Sequence, residues 1–349
     1  MINNSFFSTE ILRWFRENGR DLPWRETKDP YAIWLSEIIL QQTRIVQGWE
    51  YWERFMQTYP KVEDLAAASE DDVLKLWQGL GYYSRARNLH TAAKQIVALG
   101  AFPNTLEGIK SLKGVGDYTA AAIGSFAFDI PAAVVDGNVY RVLSRYFGID
   151  TPINSTQGKK EFAALAQSLL PASDAASYNQ GMMDFGAIQC TPQSPKCLLC
   201  PLAETCEALR CGRVEELPVK NKTVKVKTRH LSYIYIRCKS SVADGAGNTE
   251  PMIAIHRRGE GDIWQGLWEP YNVSDVKELP SFVKNPILLA KDVKHVLTHR
   301  ILLADFYLLE TETCPQLPDD YIWIKESEIE DYGVPRLIEI MLEKINPAE

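Results

Sequence analysis

The chain has 349 residues, 46% of them hydrophobic, and carries a formal net charge of −7. This length allows two domains with sizeable cores, and no uncharged apolar run approaches the roughly 18 residues of a membrane-spanning helix. The N-terminus also lacks the basic and apolar blocks of a secretory signal. We therefore expect a soluble cytoplasmic protein that binds no membrane. The acidic total argues only weakly against nucleic acid, since binding depends on local patches.

A single carboxylate marks the first long apolar segment, "YAIWLSEIILQQTR", which predicts one helix over residues 31–39. Glu37 is its only acid, and no other charge lies between Asp29 and Arg44. Residues three and four apart share a helix face, so Glu37 has mostly apolar neighbours, which raise the pKa of a carboxyl group. Glu37 is either a glutamate at the edge of the core with its head in water, or a general acid held protonated near neutral pH.

Amphipathic segments separated by short loops that contain Gly, Pro or Asn predict a mostly helical region from residue 6 to about residue 210. Two examples are "DLAAASEDDVLKLWQGL" and "KKEFAALAQSLL". After the basic segment "VKNKTVKVKTRH", the runs "HLSYIYIRC", "PMIAIHRR" and "RILLADFYLLE" predict strands. "SEIEDYGVPRLIEIMLEKI" predicts a final helix. We expect a helical domain over residues 1–218, a basic linker over 219–229 and an α+β domain over 230–349.

Two turn regions in the helical part carry residues suited to DNA and to catalysis. "LKGVGDYTAAAI" places Gly114 and Gly116 in a tight turn that opens into a helix, whose free N–H groups can hold a phosphate. Glycines needed for turning alone are the alternative. Asp136 follows an apolar run and precedes an amphipathic helix. It is either an ordinary N-cap or a second functional carboxylate.

Four of the seven cysteines form a C-x6-C-x2-C-x5-C pattern that suits one compact metal centre. Zinc and a [4Fe–4S] cluster are both possible, and the single C-x2-C pair modestly favours iron–sulfur. An odd cysteine count without an export signal argues against a disulfide framework. This leaves Cys238 and Cys314 isolated and Cys211 outside the pattern. The four candidate ligands are Cys190, Cys197, Cys200 and Cys206.

The hairpin, the Asp136 segment and the cysteine pattern resemble the endonuclease-III-like helix–hairpin–helix DNA glycosylases. "LPWR", "YAIWLSEIILQQT", "WQGLGYYSRARNLH" and "NQGMMDFGAIQCTP" resemble more specifically the MutY-type adenine DNA glycosylases. The motifs cover nearly all of residues 20–210 in the family's order. The resemblance implies a multidomain chain: an all-α domain with a [4Fe–4S] loop at 190–206, followed by an α+β Nudix-like domain. Lys113, where proline is common, and Asp117 depart from the usual hairpin.

The resemblance also implies a reaction and roles for four residues. The reaction is removal of adenine opposite 8-oxoguanine or guanine in double-stranded DNA, by a monomer that flips the base out of the helix. Glu37 would protonate adenine and Asp136 would stabilise the sugar cation, as two carboxylates do in glycoside hydrolysis. Asn138 would support the acid and Tyr118 the sugar. Because Tyr118 stands where related lyases carry an amine, no Schiff base is expected.

Family positions further imply a set of DNA contacts. Two residues would wedge into the helix, four would line the adenine pocket, and the hairpin glycines would bind phosphate. These are, in that order, Gln42 and Tyr82; Arg20, Trp24, Leu40 and Gln180; and Gly114 and Gly116.

The second domain shows a thinner resemblance to the Nudix-like domain of the same family, through "RRGEGDIWQGLWEPYNV" and "VKHVLTHRILLADFYL". It lacks the carboxylate helix that a working Nudix hydrolase needs for Mg²⁺, so we expect binding without hydrolysis. Where the family reads 8-oxoguanine with a Phe-Ser-His loop, this chain has Leu297, Thr298 and His299. Thr298 keeps the hydroxyl, although an ordinary threonine at a strand end is the alternative.

Two rival functions remain open from sequence. One is an enzyme of the same fold that acts on another base. The other is a non-catalytic DNA-binding or redox-sensing iron–sulfur protein, against which the paired Glu37 and Asp136 argue.

Overall fold

The computed structural model describes residues 4–221, 226–239, 250–274 and 279–346. The chain divides into two compact units. The first comprises Met1–Ala66 and Thr91–Lys222, and the second comprises Ala67–His90 and Thr223–Glu349. Part of the expected basic linker, residues 222–225, lies outside the described residues. Within the described ranges, no helix is both long and apolar enough to cross a membrane.

Helices build the first unit, as the amphipathic segments predict. Helix α5 and the start of α6 belong to the second unit. The helices up to the cysteine loop and just beyond it are α1 (Asn4–Asn18), α2 (Pro30–Ile39), α3 (Ile45–Thr58), α4 (Val62–Ala67), α5 (Glu70–Leu76), α6 (Ser84–Leu99), α7 (Leu106–Lys110), α8 (Asp117–Phe128), α9 (Gly137–Phe147), α10 (Thr156–Leu169), α11 (Ala175–Asp184) and α12 (Glu207–Arg210).

Helix α2 confirms the helix predicted over residues 31–39, and it is buried on all sides. Asp29 caps it by accepting a hydrogen bond from the Tyr31 N–H at 3.0 Å, and Pro30 occupies the first turn. A helix that is apolar all round packs inside a core. Its Ile33 side chain lies in a cluster with Ala122 and Phe126 of α8. This packing fixes which α8 side chains can reach Glu37.

A mixed sheet forms the second unit, with the strand order β3-β2-β1-β6-β5, and with β4 paired to β1 and β7 to β2. Strands β1 and β6 run parallel, and the other pairs are antiparallel. The three predicted strands are confirmed. The strands are β1 (Lys227–Cys238), β2 (Met252–Arg257), β3 (Trp268–Glu269), β4 (Tyr271–Asn272), β5 (Ile287–Val296), β6 (Arg300–Thr311) and β7 (Tyr321–Lys325).

Two predictions about the second unit are wrong. The continuous final helix is instead a 3₁₀ segment, Glu326–Asp331, followed by α13 (Arg336–Ile345). Pro335 disfavours helical geometry in the residue before it and so separates the two. Cys238 and Cys314 are not isolated but form a disulfide with their Cα atoms 5.3 Å apart. They are 76 residues apart in sequence, so their spacing gave no sign of the pairing.

Candidate active site

Glu37 lies near the end of α2 with its side chain buried. The Tyr118 hydroxyl donates a hydrogen bond to Glu37 Oε2 at 2.9 Å. Burial raises the pKa of Glu37 to about 7; the Tyr118 hydrogen bond and the charge of Arg25 oppose this rise, while the charge of Asp136 adds to it. The carboxyl group is therefore not a surface group with its head in water. A large fraction of it is protonated at neutral pH.

Asp136 caps α9 and also acts electrostatically on Glu37. Its Oδ1 accepts hydrogen bonds from the backbone N–H groups of Asn138 and Val139, both at 2.8 Å, so the N-cap interpretation is correct. Burial raises the pKa of Asp136, and these hydrogen bonds partly offset the rise. The cap does not exclude a second role, because its helix N–H groups occupy Oδ1, while Oδ2 accepts from the Asn138 side-chain amide at 2.7 Å.

The hydrogen-bond partner of Glu37 differs from the expectation, which assigned Asn138 to the acid and Tyr118 to the sugar. Tyr118, rather than Asn138, contacts the acid, and Asn138 contacts Asp136. Asn138 lies two residues after Asp136, in the first turn of the helix that Asp136 caps, so its amide stays beside the cap. Tyr118 reaches Glu37 because α8 packs against α2.

Arg141 links this cap to the cysteine loop, and sequence reasoning missed it. Its guanidinium donates to Asn138 Oδ1 at 2.9 Å, to the Gly186 carbonyl at 2.6 Å and to the Cys190 carbonyl at 2.8 Å. A Cβ on Gly186 would lie 2.6 Å from the Asn138 Cβ, so only glycine permits this approach. A lone arginine in an amphipathic helix gives no signal of such a role.

The four residues expected to line the adenine pocket gather around Glu37. They border a cavity of about 50 Å³. A larger open cavity of about 540 Å³ shares Arg20 with it. Gln42 is exposed, has a φ of 58° and does not border the small cavity. The four lining residues are Arg20, Trp24, Leu40 and Gln180.

A second buried carboxylate, Asp184, lies at the end of α11 and binds two arginines. Arg25 donates to both of its oxygens at 2.8 Å, and Arg20 donates through its backbone N–H at 2.9 Å, its Nε at 3.0 Å and its Nη2. Burial alone would raise the pKa of Asp184, but the hydrogen bonds from Arg25 and Arg20 outweigh it and lower the pKa. Sequence reasoning missed Asp184, although it is the only charged residue between Asp174 and Lys196.

The backbone conformation requires glycine at one of the two hairpin positions and not at the other. Gly114 has a φ of 79°, which the turn needs and which favours glycine. Gly116 caps α8 in an ordinary extended conformation, and a Cβ there would meet nothing within 4 Å. The space beside the Gly116 Cα, at the start of α8, is thus open. Asp117 forms an ion pair with Lys110, which offsets its negative charge near this position.

The four cysteines of the pattern border one small cavity, and Cys211 does not. The Arg145 Nη1 lies 3.4 Å from Cys190 Sγ. Burial raises the pKa of the Cys200 thiol to about 12, so its thiolate needs a cationic partner, which a metal centre supplies. The donor set therefore fits a metal with soft thiolate ligands.

A cavity of about 530 Å³ lies within the second unit. Thr298 and His299, which border it, occupy the turn between β5 and β6, where the Leu297 N–H donates to the Arg300 carbonyl at 2.8 Å. Tyr82 also borders it, and the Tyr82 and Thr298 hydroxyls are hydrogen-bonded at 2.6 Å. The cavity lies within the ~300–1,000 Å³ range of ligand sites.

Comparisons with known proteins identify the family. Residues 35–171 match the HhH-GPD superfamily base excision DNA repair protein, residues 190–206 the iron-sulfur binding domain of endonuclease III, and residues 247–344 the NUDIX domain. The adenine DNA glycosylase of Buchnera aphidicola (Schizaphis graminum) is 31% identical over 97% of this chain and 98% of its own. The chain belongs to the adenine DNA glycosylase family.

One partial match supports this assignment, and a second, to a solved structure, supports the fold of the first domain. The mouse adenine DNA glycosylase is 42% identical over 226 residues, which is 61% of this chain and 44% of the mouse protein. The structure of a thermostable thymine-DNA glycosylase is 34% identical, with a TM-score of 0.56 over 60% of this chain and 97% of its own. The predicted family, two-domain fold class and [4Fe–4S] cofactor are confirmed. The chain is thus a base excision repair glycosylase that acts on DNA.

Proposed function

We propose that the chain hydrolyses the N-glycosidic bond of adenine that is mispaired with 8-oxoguanine or guanine in double-stranded DNA. The observation that carries this proposal is a buried Glu37 that borders a cavity, with a pKa that burial raises to about 7 and with Asp136 near it. An acid of this kind protonates a leaving base, and a nearby carboxylate stabilises a sugar cation.

The proposed chemistry divides the work between the two carboxyl groups. Glu37 donates its proton to N7 of adenine while the bond from the base nitrogen to the sugar C1′ breaks, and the electron pair of that bond leaves with the base. Asp136, in its ionised form, stabilises the oxocarbenium-like sugar. Water then adds its oxygen to C1′ and gives up a proton. The products are free adenine and an abasic site.

The adenine has to leave the duplex to reach Glu37. The 50 Å³ cavity at Glu37 is too small for a purine, so its lining side chains move as the base enters from the larger cavity that shares Arg20. Tyr82 and Gln42 fill the gap left in the duplex; both are exposed. The open space at Gly116 lets a backbone phosphate approach the N-terminus of α8.

The base opposite adenine is read in the second unit. The Thr298 hydroxyl both donates and accepts hydrogen bonds, and it lies exposed at a turn beside Tyr82. 8-Oxoguanine differs from guanine at C8 and N7, so a hydroxyl that reaches this edge distinguishes the two. His299 orients the turn.

We propose domain limits of 1–218 and 230–349 around the 219–229 linker, with residues 67–90 packed on the second domain, and a monomer as the active form.

The test is a single-turnover assay on duplexes containing A:8-oxoguanine, A:G and T:G pairs, with alkali to break the strand at abasic sites. We expect adenine release from the first two and no strand break before alkali, because Tyr118 cannot form an imine. Release of thymine from T:G would favour the thymine activity named for the similar structure. Binding without release from any duplex would favour the non-catalytic iron–sulfur protein.

A further inference from the structure

The ion pair between Arg25 and Asp184 lies beside Glu37, the proposed acid. Arg25 borders the same small cavity as Glu37, and its charge acts to lower the pKa of Glu37. Its guanidinium is nevertheless turned to Asp184, with one nitrogen on each carboxylate oxygen at 2.8 Å. Asp184 is completely buried, so this bidentate pair is shielded from water.

A free guanidinium in this place would bind the other carboxyl that borders the cavity. An arginine beside a carboxyl stabilises its ionised form and lowers its pKa by roughly 1–3 units. Glu37 would then lose the proton that it has to donate. Arg20 adds a second positive charge at the same border. One anion on α11 holds both arginines, through hydrogen bonds from the guanidinium of each.

We infer that Asp184 is a positioning residue that engages Arg25 and Arg20 and so prevents them from forming an ion pair with Glu37. The inference rests on the proposed role of Glu37 as the acid. It assigns to α11 a task that is separate from base recognition. The chemistry needs a pocket that is positively charged enough to attract DNA and yet leaves its acid protonated.

The groups that face Glu37 fix the sign of the expected effect. Tyr118 of α8 donates to it, Asp136 at the start of α9 favours its protonated form, and Arg25 favours its ionised form. When Asp184 loses its charge, Arg25 is no longer balanced, and the pKa of Glu37 falls. Base release needs protonated Glu37, so the alkaline limb of the pH–rate profile moves to lower pH.

The experiment measures single-turnover base release from A:8-oxoguanine between pH 5 and pH 9 for Asp184→Asn. We expect the alkaline limb to move down by about one unit or more, with a loss of about tenfold at neutral pH that shrinks at low pH. Arg25→Gln should move the limb in the opposite direction. Asp184→Asn combined with Arg25→Gln should bring it back towards the wild-type position, at a reduced rate.

A purely structural role for Asp184 predicts a different result. The rate would then fall equally at every pH, with an unmoved limb and no recovery in the double variant, and this outcome would overturn the inference. If Asp184→Asn does not fold, Arg25→Gln still tests the inference. An unmoved alkaline limb in that variant would show that Arg25 does not act on Glu37 and would overturn the inference.

A second measurement separates this inference from the proposed function. In protein without DNA, ¹³C-carboxyl NMR titrates Glu37, assigned by the signal lost in Glu37→Gln. A wild-type enzyme that releases no adenine defeats the proposed function. A Glu37 titration that is unchanged by Asp184→Asn defeats the inference, whatever the activity.

Discussion

The helical site and the cavity of the second unit are built in opposite ways. Around Glu37 the space is about 50 Å³ and the acid is buried, whereas the cavity beside Thr298 measures about 530 Å³ and the Thr298 side chain is exposed. A buried site shifts pKa values and supports proton transfer. An exposed hydroxyl suits recognition by hydrogen bonds. The difference predicts that changes in the first region affect every mispair equally, while changes in the second affect one mispair more than another.

Removal of the acid should have the largest effect. Glu37→Gln keeps the shape of the side chain but has no acidic proton, so we expect base release to fall by at least about 100-fold on A:8-oxoguanine and on A:G. Duplex affinity, measured by fluorescence anisotropy, should change little. Glu63→Gln, at an exposed glutamate, is the matched control. A loss confined to one mispair would contradict the prediction that changes around Glu37 affect both mispairs equally.

Asp136→Asn should reduce base release by about 100-fold as well, and again equally on both mispairs. Asparagine is a good N-cap, so α9 should keep its start and the protein its stability. The loss then reports the missing negative charge beside the sugar. Single-turnover rates, read together with the melting temperature, check this prediction. Near-normal cleavage would remove Asp136 from the mechanism and leave it as a cap only.

In the second region we expect selectivity instead of a uniform loss. Thr298→Val keeps the size of the side chain and removes the hydroxyl. Leaving one polar edge unpaired costs about 1–3 kcal/mol, which corresponds to roughly 5- to 150-fold. Action on A:8-oxoguanine should weaken by that factor relative to A:G. Thr298→Ser retains the hydroxyl and should retain the preference. Equal losses on both mispairs would assign lesion recognition to the backbone of the turn.

The sequence predicted the parts of this molecule in which one residue carries its own signal. Glu37 is a lone charge in an apolar helix, Gly114 needs a positive φ, and the cysteines share a compact spacing. The same lone-charge signal was present at Asp184 and went unused, because its meaning depends on two arginines about 160 residues away. A lone charge in an apolar segment indicates that the carboxyl group is buried. Only the fold shows which charged side chains lie beside it, and these decide whether its pKa rises or falls.

Other features depended on distant pairing and gave no local pattern. Strand β5 carries exposed charges at Lys291 and Asp292 and, among the described strands, pairs with β6 alone, so its sequence does not alternate as a half-buried strand would. The Cys238–Cys314 disulfide forms across 76 residues. The hydrogen bond from Tyr118 to Glu37 likewise follows from helix packing, which no spacing encodes.

The smallest effect should come from Tyr118→Phe, and it tests whether burial controls the acid. The Tyr118 hydrogen bond opposes the raised pKa of Glu37, so its loss should raise that pKa above about 7. In the proposed mechanism the protonated acid is the active form, so wild-type base release should fall as pH rises through about 7. The variant's alkaline limb should lie at higher pH by less than about one unit, while its plateau falls several-fold as the acid loses its orientation. Tyr140→Phe makes the same chemical change on a ring that packs against Phe162, and its limb should not move. A Tyr118→Phe limb that moves to lower pH would mean that the hydroxyl, and not the apolar surroundings, keeps Glu37 protonated.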